Sequence, residues 1–134
     1  MTGVLVDTSV WVGYLRGGSP ELSTGMDRLL AAEAVITCGP VAAELRIGDR
    51  SPVGELSAIM SDLAWSDLGR AEWRRVGEVG AQLRQAGESV RLTDISIAVA
   101  AASAGAPLWS LDQDFARIAD VMPELRLYDD RSVR

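Results

Sequence analysis

A chain of 134 residues and 14.3 kDa, 48% hydrophobic and 24% charged with a formal net charge of −6, has the size for one core and too much apolar surface to stay disordered. It contains no histidine and no lysine, so all 13 basic residues are arginine; this excludes histidine-based nucleophile pairs, imidazole zinc sites, Schiff-base chemistry and any site pairing a carboxylate with lysine. The single cysteine, Cys38, excludes an internal disulfide, fits a reducing compartment and reads as core filling.

Residues 3–6 form a short apolar run ending at Asp7, and the SVWVGYL that follows carries apolar side chains at helical spacing until Arg16-Gly17-Gly18 stops it: a strand feeding a helix. Pro20 opens a second helix with Leu22, Met26, Leu29 and Leu30 on one stripe, and residues 34–37 read as a second strand. Gly39-Pro40 starts a helix through Val41, Glu44, Leu45 and Ile47 that ends at Gly48. Pro52 begins another, with Leu56, Ile59, Met60 and Leu63 on one face, leading to a short strand at 64–66.

A helix over 69–86 is expected to bury Trp73, Val76, Gly80 and Leu83, with Gly87 ending it. Thr93 is a candidate N-cap for a helix over 94–104 that is apolar on almost every side, as in a helix buried against a sheet. Strands at 107–111 and 125–128, with a short helix at 114–119 between them, complete the pattern. Strands alternating with helices imply a mostly parallel sheet covered on both faces, so a single three-layer α/β/α domain over residues 1–134 is expected.

Residues 1–15 lack a basic leader and carry Asp7 within their apolar stretch, which reads as neither signal peptide nor anchor. The nearly apolar run from Ile95 to Ala106 is shorter than the roughly 20 residues a membrane span needs, so a soluble cytoplasmic protein is expected. The acidic balance opposes a polyanionic partner, but its distribution is uneven. Between Arg70 and Arg91 five arginines face three glutamates, a local +2 that leaves −8 elsewhere. A solvated helix face and a binding role both fit those arginines.

Where the remaining acid falls is informative. Ligands of open parallel sheets sit beyond the carboxyl ends of the strands, where strand order reverses. Asp7 and Asp112 directly follow strands, Asp94 opens the buried helix, and Glu44 lies on the helix leaving the second strand, so four acids from distant segments converge on that rim. Singly, each has an ordinary role as a cap or turn former. Together they repel, by about 4 kcal/mol for two carboxylates ~4 Å apart at an effective dielectric near 20, unless a cation sits among them. Oxygen donors without histidine or a cysteine cluster select Mg²⁺ or Mn²⁺, and the matching chemistry is hydrolysis of a phosphodiester by a metal-activated water. A phosphoacceptor receiver or an aspartate-nucleophile phosphatase would need a lysine. A metal-dependent adhesion site would need Asp-x-Ser-x-Ser, where Asp7-Thr8-Ser9-Val10-Trp11 fails at the last serine.

The strings VLVDTSVWVGYLRG at the N-terminus, PVAAEL around Glu44, LTDISIAVAAASAGAPLWSLDQDF over 92–115 and the closing LRLYD resemble the PIN-domain ribonucleases, and within them the toxins of VapBC toxin–antitoxin modules. The resemblance implies a PIN-like fold and a metal-dependent endoribonuclease. It makes Asp7, Glu44, Asp94 and Asp112 the acidic quartet for Mg²⁺ or Mn²⁺, with Asp114 a rival to Asp112, and makes Ser9 and Ser110 supporting hydroxyls. It further implies a homodimer, a VapB-type antitoxin that lays a segment across the site, and tRNA or ribosomal RNA as substrate. A non-toxin PIN nuclease acting on RNA precursors or DNA structures, and a catalytically silent binding module, remain alternatives. Trp11, Tyr14 and Leu15 fit either the core or a partner surface, and the core is the better reading.

Overall fold

A computed structural model of the chain describes residues 3–49 and 55–129. In chain order its elements are β1 (Val4–Val6), α1 (Thr8–Leu15), α2 (Pro20–Ala31), β2 (Val35–Thr37), α3 (Gly39–Gly48), α4 (Glu55–Ser61), β3 (Ala64–Trp65), α5 (Arg70–Gln85), α6 (Leu92–Ser103), β4 (Leu108–Trp109) and α7 (Asp114–Val121). The sheet runs β3-β2-β1-β4 with every neighbouring pair parallel. Helices flank it, as parallel strands require, since each must be reached by a crossover. Strand order reverses at β1, which has β2 on one side and β4 on the other, so the crevice lies beyond the carboxyl end of β1.

Local signals explain most boundaries. Ser19 caps α2 by accepting from the Leu22 N–H, with Pro20 at the first helical position, where its missing N–H costs nothing. Gly105, at φ +65°, takes the left-handed conformation that closes α6. Helix α6 is buried without a break from Asp94 to Ala101; its alanines bring it close to its neighbours, and the Ser66 hydroxyl, at the end of β3, donates 2.7 Å to the Ala100 carbonyl. Among the described residues no helix is long and apolar enough to cross a membrane.

Several details differ from the sequence reading. Helix α6 starts at Leu92 with Arg91 at its N-cap, so Thr93 lies inside the first turn. In α5 the buried residues are Val76, Val79 and Leu83, whereas Trp73 is 49% exposed and Gly80 half-buried. On a helix of 3.6 residues per turn the centre of that stripe shifts toward Val79, which leaves Trp73 on the far shoulder. The segment 125–128 is no full strand: it meets β4 at the single parallel bridge Leu108↔Leu127, through Leu108 N–H to Arg126 O (2.9 Å) and Tyr128 N–H to Leu108 O (2.7 Å). β4 itself is shorter than 107–111, because Ser110 turns its hydroxyl toward Asp7 and Leu111 points outward. In α4, Met60 is buried but Ile59 is exposed, and Pro52 lies outside the described residues. Trp11 is buried, Tyr14 half-buried and Leu15 exposed, so only the first is core outright.

Candidate active site

Asp7 leaves the end of β1 and caps α1, and its residue is 4% exposed. Three donors converge on its Oδ2: the Ser110 hydroxyl at 2.7 Å, the Ser9 hydroxyl at 2.8 Å and the Ser9 N–H at 3.4 Å. No donor among the described residues reaches Oδ1. Ser110 in turn accepts the Asp112 N–H at 2.9 Å, and Ser9 accepts the Leu111 N–H at 3.0 Å, so the loop after β4 is braced internally and fastened to the first turn of α1. The Asp7 N–H donates to the Trp109 carbonyl, which brings these two strand ends into register.

Asp94 sits three residues into α6 with a side chain only 2% exposed. One of its oxygens lies with one each from Asp112 and Asp114 so that all three are within 4.8 Å of one another, close enough to share one cation. Burial raises the Asp94 carboxyl above its ordinary value; Arg91 opposes that rise, while the charges of Asp112 and Asp7 add to it. Asp112 also caps the turn into α7, its Oδ1 accepting the Asp114 N–H at 2.9 Å, and Asp114 Oδ1 lies 2.7 Å from Arg117. Glu44, on α3, accepts from the Thr8 hydroxyl at 2.7 Å.

Of the five carboxylates singled out by sequence, Asp94, Asp112 and Asp114 are therefore drawn together most tightly. Asp7 joins through Ser110 and its charge on Asp94, and Glu44 stands across from them, linked through Arg91. By sequence Arg91 is one of five segment arginines, yet its guanidinium forks onto Asp94, Nη2 to Oδ1 at 2.9 Å and Nε to Oδ2 at 3.2 Å, with Nη1 3.7 Å from Glu44. The signal available was its spacing, three residues before Asp94 at a helix start. Another of the five, Arg75, is spent on structure, bound to Glu124 at 2.7 and 2.9 Å and to Glu78 at 3.3 Å.

Cys38, fully buried just behind the site, has its thiol pushed from 9.0 up to about 11, chiefly by burial, with the charges of Asp7 and Glu44 adding and the Val41 N–H opposing. The unfolded chain loses that proton first, so stability is expected to fall as pH rises from about 9 to about 11, by about 3 kcal/mol when complete. Urea unfolding across that range checks the slope, which Cys38→Ala should lack.

Comparison with known proteins follows the same lines. A family model described as PIN domain matches residues 4–121. The chain is 32% identical over 124 residues to the VapC ribonuclease Mb1587 of Mycobacterium bovis, and likewise to the ribonuclease VapC11 of Mycobacterium tuberculosis, covering 88% of this chain and 92% of each relative. Its fold is similar to that in the crystal structure of DNA-bound VapBC from Salmonella typhimurium, with a TM-score of 0.77 at 21% identity over 97% of this chain and 99% of that one.

Proposed function

The chain belongs to the PIN domain family, alongside VapC ribonucleases, and from that footing we propose that it is an endoribonuclease toxin of a toxin–antitoxin pair that cuts RNA at the crevice beyond β1. The observation that carries the reading is the set of Asp94, Asp112 and Asp114 oxygens within 4.8 Å of one another, beside a buried Asp7 whose Oδ1 no donor among the described residues reaches. Carboxylates this close are mutually repulsive, and burial makes the Asp94 charge costlier still; both are relieved by a hard divalent cation. The donor set is all oxygen, which fits Mg²⁺ and also Mn²⁺. Asp94, Asp112 and Asp114 would hold it, with Asp7 and Glu44 at its margins. Bound there, it supplies positive charge against the phosphodiester and a water made acidic enough to attack phosphorus.

The chain's own residues do the positioning. Ser9 and Ser110 lock one Asp7 oxygen so that the other points a fixed way, and Thr8 holds Glu44 across the crevice. Asp94 is fixed by a buried helix start, so its carboxylate has little freedom to follow solvent. Such rigidity is what a site needs when positioning and electrostatics supply most of the rate.

A groove of about 750 Å³ lined by Val12, Leu15, Leu45, Ile47 and Leu56 runs up to Glu44. Its exposed Leu15 and Ile47 suit an apolar segment of a VapB-type antitoxin that reaches the crevice. We take residues 1–134 as one PIN domain acting as a homodimer in the cytoplasm on tRNA or ribosomal RNA. The test is RNA cleavage by the purified chain freed of antitoxin: cutting with Mg²⁺ or Mn²⁺ and none with EDTA is expected. Cutting that persists under chelation overturns the metal assignment, and mapping the new RNA ends names the substrate.

A further inference from the structure

Arg91 lies where the divalent cation is proposed to act. Its planar fork takes both Asp94 oxygens, at 2.9 and 3.2 Å, while Nη1 stands 3.7 Å from Glu44, so one guanidinium spans two of the carboxylates that converge on the crevice. The pairing is asymmetric: the Asp94 side chain is 2% exposed and the Arg91 side chain 64%. The carboxylate is buried and fixed, whereas the guanidinium enters from solvent on a long side chain and can leave the same way. It answers the need of a buried anion for a partner without contributing to the core.

We propose that Arg91 is an internal competitor for the cation site, a guanidinium that neutralises Asp94 and Glu44 in the ion-free chain and must be displaced when a divalent ion enters. The inference rests on the metal-dependent reading above. Two positive groups cannot share the same buried carboxylate at close range without repelling, and an Asp94 engaged through both oxygens presents its remaining lone pairs beside a positive charge. The ion therefore has to break the fork, and its apparent affinity is lowered by the work of doing so. Arg91 thereby sets how much free divalent ion is needed to load the enzyme, and until then it offsets the mutual repulsion of the carboxylates it spans.

The opposite role makes the opposite prediction. If Arg91 merely oriented Asp94 for the ion, as outer partners of metal ligands do, removing it would weaken ion binding by about 10–100-fold. If it competes, removing it tightens binding, and about tenfold is expected. The experiment is calorimetric titration of Mn²⁺ into the full chain without antitoxin, for wild type, Arg91→Lys and Arg91→Gln, paired with melting temperatures with and without Mn²⁺. Affinity should rise in the order wild type, R91K, R91Q, because lysine keeps the charge but loses the fork.

The ion-free R91Q protein should melt lowest and gain most from Mn²⁺. Should it not fold unaided, recovery of its helical circular dichroism on adding Mn²⁺, at concentrations below those that load wild type, supports the same conclusion. Equal or weaker binding by R91Q, with wild type binding normally, overturns the competitor role and leaves the nuclease reading standing. Absence of Mn²⁺ binding in all three proteins overturns both. Binding by R91Q but not by wild type supports the competitor role in its strongest form.

Discussion

Replacing Asp94 with asparagine is expected to lower RNA cleavage by about a thousand-fold while leaving the chain folded. Asparagine fills the same space but offers one neutral oxygen and an amide, so it neither neutralises a divalent ion nor completes the trio with Asp112 and Asp114. Stability should survive the change. Arg91, 64% exposed along its side chain, returns to water when its partner is removed, and the buried carboxylate was itself a cost. The pH dependence distinguishes the two proteins. Because the folded Asp94 carboxyl holds its proton to higher pH than the unfolded one, it favours the folded state at low pH, and that contribution is lost as pH rises through its raised value. Initial rates with Mn²⁺, together with urea midpoints from acid to neutral pH, check both statements. An Asp94→Asn protein that cleaves at the wild-type rate would remove Asp94 from the site.

Trp11→Ala is expected to cost about 3–5 kcal/mol, the usual range for emptying a large buried aromatic position. The ring is 1% exposed, packed edge-on to Tyr14 with centroids 6.4 Å apart, on the helix that Asp7 caps. For a domain of ordinary stability, about 5–15 kcal/mol, that is a fifth or more of the total. Its indole Nε1 has no hydrogen-bond partner among the described residues, so Trp11→Phe sheds an unpaired buried donor and should cost far less than the alanine. Urea midpoints at unchanged m-value measure both. A loss under about 1 kcal/mol for the alanine variant would mean that the pocket collapses freely around the gap.

The layered fold was legible because its signals are local. Gly and Pro punctuate the helices at Gly17-Gly18, Pro20 and Gly39-Pro40, and short apolar runs between them have no stable alternative to a covered sheet. The acids were legible for a topological reason: Asp7 and Asp112 follow strands, and parallel strands end on one side. What failed depended on partners remote in sequence. Whether Trp73 or Val79 faces inward is decided by where α5 meets its neighbours, and 125–128 needed an edge to pair with that periodicity does not reveal. The role of Arg91 is not legible in sequence, because the charge along a segment says nothing about direction; only the helix start at Leu92 turns its side chain back over Asp94.

The sheet order has a consequence for how the enzyme comes into being. β1 is laid down first but receives β4 beside it only after more than a hundred residues have been made, and Asp112 and the start of α7 with Asp114 follow β4. A half-synthesised polypeptide on the ribosome thus owns Asp7 and Glu44 but lacks Asp94, Asp112 and Asp114. The full set of acids at the crevice therefore assembles only once the distant halves of the chain have met.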